Sequence, residues 1–244
     1  MMTKVDIAAN ISRVQAQIAE ACLRAQRDPS DVLLVAVSKT QSPSAIRSAV
    51  GAGLHHFGEN RVEEAQNKIP QVHEALYQTL TWHMIGHIQS RKTKYVLPIF
   101  DMIHSIDSVK LAEKVSRIAN KMDQKQAVLL EINISGEDAK YGLQAANWKT
   151  EVSVRDALWY NMETIFNLPG LDVQGLMTMA PFYDKSEKTR PIFAGLFELR
   201  AALQQSFGVS LPELSMGMTN DYSIAIEEGA TIVRIGRAIF GPRS

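Results

Sequence analysis

The sequence predicts an α/β fold, a single TIM-type (β/α)8 barrel. Three observations carry that reading. Short apolar, β-branched runs recur along the chain without strict alternation, as in strands buried on both faces. Stretches with apolar residues at three- and four-residue steps separate each run from the next. Polar residues collect where the runs end. Eight such units in 244 residues suit a barrel. A doubly wound open sheet is the competing fold, but no Gly-x-Gly-x-x-Gly follows an early strand. No linker, repeat or low-complexity tract interrupts the chain, so residues 1–244 are expected to form one domain.

The elements follow in order. Residues 4–26 read as a helix through Ile7, Ile11, Val14, Ile18, Ala21 and Ala25, stopped by Asp28-Pro29. Residues 32–38 are the first strand. Ser42 caps a second helix with Pro43 at its first position. A short strand at 55–60 precedes a helix at 61–69 that Pro70 is expected to stop. Strands at 82–87 and 102–107 flank a basic helix, 89–96, and a further helix follows from Val109 to Ile118. A strand at 127–134 leads into a polar loop and a less regular helical region, 144–166. A strand at 171–179 precedes a helix with Ile192, Leu196, Leu199 and Leu203 inward. Residues 213–218 are a strand, 219–228 a short helix before Gly229, and 231–240 contain the last strand. The N-terminal helix is expected to fill the place of a last outer helix.

Composition excludes several classes. With 26 basic and 26 acidic residues, there is no electrostatic case for nucleic acid or an anionic membrane. No apolar run is long enough to cross a bilayer, and the N-terminus lacks a signal-peptide pattern. One cysteine, Cys22, excludes an internal disulfide framework; it reads as a small core residue. A cytoplasmic location is expected.

In a barrel the C-terminal strand ends share one face, and that face carries chemistry. Lys39 ends the run VLLVAVS. There, desolvation would lower the amine pKa and ready it to attack a carbonyl; the plain alternative is a lysine that has reached water. Asn60 and Asp107 read equally well as helix caps, and His83 as a core histidine. The loops after the last two strands, SMGMT and IGRA, suit an anion. Gly217 and Gly236 admit close backbone approach, Ser215 and Thr219 offer hydroxyls, and the start of helix 219–228 offers N–H groups. A phosphate on one side and a lysine amine on the other fit pyridoxal 5′-phosphate (PLP), held on Lys39 as a Schiff base. Arg234, two residues before Gly236, would face the pyridine nitrogen. A permanent cation there disfavours protonation of that nitrogen and makes the ring a weaker electron sink.

At these residues the chain resembles the pyridoxal phosphate homeostasis proteins, the YggS-like PLP-binding family, whose barrel is similar to the alanine racemase N-terminal domain. The resemblance rests on VAVSKT (35–40), FGENRVEEA (57–65), WHMIGHIQSRK (82–92), HSIDS (104–108), GLMTMAP (175–181), LSMGMTND (214–221) and VRIGRAIFG (233–241). It implies that Lys39 is the Schiff-base lysine and that Arg234 faces the pyridine nitrogen. It implies phosphate contacts at Ser215, Thr219, Gly236 and Arg237, the last two through backbone N–H, and pocket lining by Asn60, His83 and Met218. Three positions depart from the family pattern: Ile88 for Leu, Arg91 for Asn, and Arg237 for a small Thr or Ser. Residues 141–166 match nothing in it.

The resemblance implies a protein that holds PLP reversibly and takes part in vitamin B6 homeostasis, with no metal. PLP-dependent apo-enzymes are the expected recipients, and the expected state is a monomer, with a dimer as the alternative. The competing class is a PLP-dependent amino-acid racemase. Racemisation needs a second acid/base opposite the lysine; the chain ends after the barrel, and only Tyr141 and His83 offer themselves. A PLP-independent barrel enzyme is a third reading. The basic segment 91–94 is expected to be a solvated helix face.

Overall fold

The computed structural model describes residues 5–73, 79–137 and 141–242. Among the described residues, nine strands run in the order β1 (Leu33–Val37), β2 (His56–Glu59), β3 (Thr81–Met84), β4 (Met102–Ile106), β5 (Gln126–Asn133), β6 (Leu143–Gln144), β7 (Leu171–Met177), β8 (Glu213–Ser215) and β9 (Ile232–Ile235). Every pairing is parallel, and β9 returns to β1, so eight strands close into a ring. The two-residue β6, absent from the sequence reading, pairs only with the end of β5. The expected TIM-type barrel is what forms.

The helices are α1 (Ile7–Arg24), α2 (Pro43–Gly51), α3 (Val62–His73), α4 (Thr93–Val96), α5 (Val109–Lys121), α6 (Val152–Phe166), α7 (Arg190–Phe207), α8 (Tyr222–Glu227) and α9 (Arg237–Phe240). α1 packs against α8, α9 and α2, the place expected for it. Its inner face is Ile11, Val14, Ile18, Ala21 and Cys22, all buried. Each large aliphatic there contributes about 1.5–3 kcal/mol by leaving water. Ser42 caps α2 through the Ala45 N–H, with Pro43 at the first position.

The main core lies between strands and helices. Inside the ring, a separate small apolar cluster joins Val35, Leu129, Met177 and Ile232. Leu33 and Met102 pack against that cluster, and the buried polar groups of the site, Arg234, Ser215, His83 and His104, come from strands of the same ring.

Several expected boundaries move. Pro70 does not stop α3, which continues to His73 because Ile69 and Val72 bury their side chains on either side of it. The basic helix expected at 89–96 is a 3-10 turn (Ser90–Lys92) followed by the single turn α4. On α7 the buried set is Phe193, Leu196, Leu199 and Leu203, and Ile192 is only half-buried. The helix expected from Thr219 begins at Tyr222, leaving Thr219 in the preceding turn. In the irregular region only 152–166 is helical. Part of the polar loop before it, 138–140, lies outside the described residues.

Candidate functional site

β1 ends at Val37, and the next four residues turn back, with the Gln41 N–H donating to the Ser38 carbonyl (3.0 Å). Lys39 therefore sits in a turn, half-buried, rather than on the strand. Thr40 adopts φ +64°, a region a β-branched residue seldom enters. A buried ion-pair network holds this turn. Lys68 Nζ donates to the Ser38 carbonyl (2.8 Å), to Glu59 Oε1 (2.9 Å) and to Glu64 Oε1 (2.5 Å). The Ser38 hydroxyl donates to Glu59 Oε1 (2.7 Å), and the Thr40 N–H to Glu64 Oε1 (2.5 Å). Both chain neighbours of Lys39 are thus fastened to α3 and β2. Burial pushes the Glu59 carboxyl up, with Ser38 and Lys68 pulling against it. Burial also raises Glu64, but bonds from Lys68 and Thr40 outweigh it and hold that carboxyl low.

Arg234 lies on β9, paired in register with Val35 on β1, so it neighbours the strand that carries the Lys39 turn. Its guanidinium is buried and donates to the Ser215 hydroxyl and, at 3.0 Å, to the Thr178 carbonyl. Burial draws its pKa down to about 10, against the opposing pull of Glu131 and Asp221. Behind Ser215 stands a line of histidines. His104 Nδ1 is 2.9 Å from Ser215 Oγ, His83 Nδ1 is 2.9 Å from His104 Nε2, and His56 Nδ1 is 3.0 Å from His83 Nε2. Ser215 was expected to reach a phosphate; its hydroxyl is fully buried and committed to Arg234 and His104. His83 was expected to line the pocket; its ring is 2% exposed with both nitrogens engaged, so it lies beneath the mouth. Its second reading, a satisfied core histidine, describes its surroundings.

The two glycine loops meet. The Arg234 N–H donates to the Gly217 carbonyl (3.0 Å), and Arg237 reaches Asn220 (3.4 Å). Gly217 has φ +90°, and a Cβ there would lie 2.6 Å from the Ala225 Cβ. Gly236 closes against the end of β1, where a Cβ would lie 3.2 Å from the Val37 carbonyl oxygen. Asp221 accepts from the Met218 N–H (2.6 Å), and burial raises its pKa. Met218 and Arg237 are exposed, Thr219 and Gly236 half-buried.

At the end of β2, Asn60 keeps its Oδ1 buried without a partner among the described residues, and its backbone presses so close to Gly86 that a Cβ there would be 2.4 Å from the Asn60 carbonyl oxygen. An orphaned amide oxygen at a strand end awaits a ligand or water. Beyond β3 and β4, His87 pairs with Asp107 (2.8 Å) and stacks on Tyr141 at 3.9 Å. Glu131, buried on β5, is pushed up to about 7 by burial and Asp107, with Arg234 opposing. A cavity of about 600 Å³ lies nearby between α5, β6 and α6, lined by residues that include Asp107, Ser108, Leu143 and Asn161; none of the expected cofactor residues lines it.

The fold therefore gathers Lys39, Asn60, Met218, Thr219, Gly236 and Arg237 at the strand ends, with Arg234, Ser215 and His83 below. Sequence reading missed Lys68, His56, His104 and Glu131 as parts of this assembly. The signal for Lys68 was its spacing of four residues from Glu64 on one helix. Nothing local marks His56 or His104, which meet only across strands.

A closed parallel barrel with a lysine turn after its first strand and an arginine on its last defines a class. The chain matches the alanine racemase N-terminal domain family over residues 7–244. An alanine racemase from Clostridium difficile shares this fold with a TM-score of 0.70 at 13% identity, covering 93% of this chain and 59% of that one. Within that class, the chain belongs to the pyridoxal phosphate homeostasis protein family. The member from Aquifex aeolicus is 43% identical over 96% of both chains. The structure of PipY from Synechococcus elongatus with PLP bound superposes with a TM-score of 0.77 at 37% identity, covering 92% of this chain and 100% of that one.

Proposed function

We propose that this protein binds PLP at the C-terminal mouth of its barrel, holds it on Lys39 as a Schiff base, and takes part in intracellular PLP homeostasis. The observation that carries the reading is the buried Arg234 guanidinium, fixed by Ser215 and Thr178 on the strand beside the Lys39 turn. The residues fit the cofactor. Thr219 and the backbone at Gly236 and Arg237 would take the phosphate. Asn60 Oδ1 is a buried polar atom still to be satisfied, and Met218 offers an apolar contact at the mouth. When bound, PLP supplies an aldehyde that condenses with an amine and a ring that withdraws electrons.

The chain's own residues favour holding over turnover. Arg234 keeps a cation where the ring nitrogen would stand, which disfavours protonation there. Glu59, Glu64 and Lys68 pin the turn on both sides of Lys39. Transfer to PLP-dependent apo-enzymes, action as a monomer and a cytoplasmic location belong to the same reading; among the described residues no helix is long and apolar enough to cross a membrane.

The test is chemical. Protein mixed with PLP and treated with borohydride should carry one cofactor mass on Lys39, and Lys39→Ala should lose it; an equal yield in that variant removes the assignment. Arg234→Glu should shift the visible absorption of the bound cofactor.

The racemase reading has one observation in its favour, the His87–Asp107 pair with Tyr141 stacked on it at the strand ends. It predicts rapid α-proton exchange of amino acids in deuterated water by the PLP-loaded protein. The homeostasis reading predicts none at enzymatic rates.

A further inference from the structure

The histidine line has a property that follows from counting protons. Neutral imidazole carries one N–H, and each contact in the line needs one donor and one acceptor. The contacts join Nδ1 of one ring to Nε2 of the next, and the last joins His104 Nδ1 to Ser215 Oγ. Only two arrangements satisfy all of them. In one, every ring is protonated at Nε2 and Ser215 donates to His104. In the other, every ring is protonated at Nδ1 and Ser215 accepts from His104. No ring can change tautomer alone.

The two arrangements are not equivalent at Ser215. Its oxygen accepts from Arg234 in both. In the first, its hydrogen is used by His104. In the second, that hydrogen has no acceptor among the described residues, at a fully buried position. A buried unsatisfied donor is costly, so the Nε2 arrangement is the resting one. The other end of the line opens outward. His56 is half-buried at the first position of β2, at the strands' N-terminal mouth. A cationic His56 carries protons on both nitrogens and must donate through Nδ1 to His83. That forces both inner rings to the Nδ1 form and releases the Ser215 hydrogen.

We propose that His56, His83 and His104 form a tautomer-coupled line through the barrel, positioning residues by which the protonation of His56 at one mouth sets the hydrogen bonding of Ser215 beside Arg234, buried beneath the other. Burial and His55 lower the pKa of His56, while Asp101 raises it; His83 is the ring packed on it from β3. Burial keeps the inner rings neutral: His83 falls to about 3, with His56 adding to the effect, and His104 falls well below its ordinary value, with His83 and Arg234 adding. The inner rings therefore respond to His56 by changing tautomer, not charge. The coupling holds whatever ligand Arg234 faces.

Nitrogen-15 NMR of the imidazole rings in the ligand-free wild-type protein tests this directly. Above the histidine range, His56, His83 and His104 should all report the Nε2–H form. On acidification, His56 should gain charge while His83 and His104 switch to Nδ1–H with the same midpoint and stay neutral. Mixed tautomers at high pH, or inner rings unmoved while His56 titrates, would overturn the proposal. His56→Gln removes the titrating end and should abolish the shared midpoint; a switch that persists in that variant would overturn it too. The wild-type titration stands alone if the variant does not fold.

Discussion

Lys68 is a residue whose importance lies in what its loss would strand. Lys68→Met would leave Glu59, 0% exposed, and Glu64 without their cation. Breaking a buried pair from one side costs about 3–5 kcal/mol, against about 1 kcal/mol or less for a surface pair. Urea unfolding should show a loss of that order. The double variant Glu59→Gln, Lys68→Met should recover part of it, since one fewer charge is left unpaired. The same variants should reduce PLP attachment at Lys39 more than their stability loss explains, because Ser38 loses its bond from Lys68, and Glu64, which holds the Thr40 N–H, loses its cation. If Lys68→Met unfolds at the wild-type denaturant midpoint, the network does not hold the turn. Lys39 itself was legible in sequence as a lysine ending an apolar run. Lys68 was legible only as a neighbour of Glu64 four residues away on one helix, because its other partners come from a turn and a strand up to 30 positions away.

Among the elements, α3 and the loop after β8 show local preference set against packing. Pro70 sits inside α3 on an exposed position, where it has no N–H for the Gln66 carbonyl. An interior proline costs about 3 kcal/mol, reduced by the chain entropy it removes on unfolding. Pro70→Ala should therefore raise stability by about 1–2 kcal/mol, read as a higher denaturant midpoint; no gain would mean that α3 is already distorted enough to absorb the ring. The loop runs the other way. At Gly217, φ is +90° and a Cβ would meet Ala225 and Tyr222 at 2.6 and 2.8 Å. Gly217→Ala should cost about 1–3 kcal/mol through overpacking alone and should weaken phosphate-dependent binding of PLP. Wild-type affinity for PLP in this variant would argue against the loop as the phosphate site. The sequence signalled the loop through its glycine, but placed the helix start three residues early. Met218 and Asp221 close a turn there first, and that exchange of bonds is invisible to periodicity.

At the scale of the whole molecule, the buried polar groups set the dependence of stability on pH. His83 and His104 are held neutral, at about 3 and well below the ordinary value, whereas the unfolded chain takes up protons near 6.5. Their contribution is complete above that value and is lost as pH falls below it, for His83 down to about 3. Glu131 acts oppositely. Raised from 4.5 to about 7, it contributes below 4.5 and loses that contribution as pH rises through 7. The two rings act together against the carboxyl, so stability should fall as pH drops from 6.5 to 4.5, and more steeply below, where Glu131 no longer opposes them. Unfolding at a series of pH values checks this; a flat profile there would mean the rings are solvated. The sequence by itself determined the barrel, because buried strands and amphipathic helices leave periodic traces in a chain read one window at a time. It also marked the strand-end residues Lys39, Thr219, Arg234 and Gly236, since polar residues ending apolar runs are local signals. Only the tertiary structure decided which polar groups meet inside the ring. Ser215 turns inward to Arg234, His83 joins His56 and His104, and Lys68 reaches the Lys39 turn, because closing the barrel brings residues from different strands within hydrogen-bond distance, and no spacing along the chain encodes that.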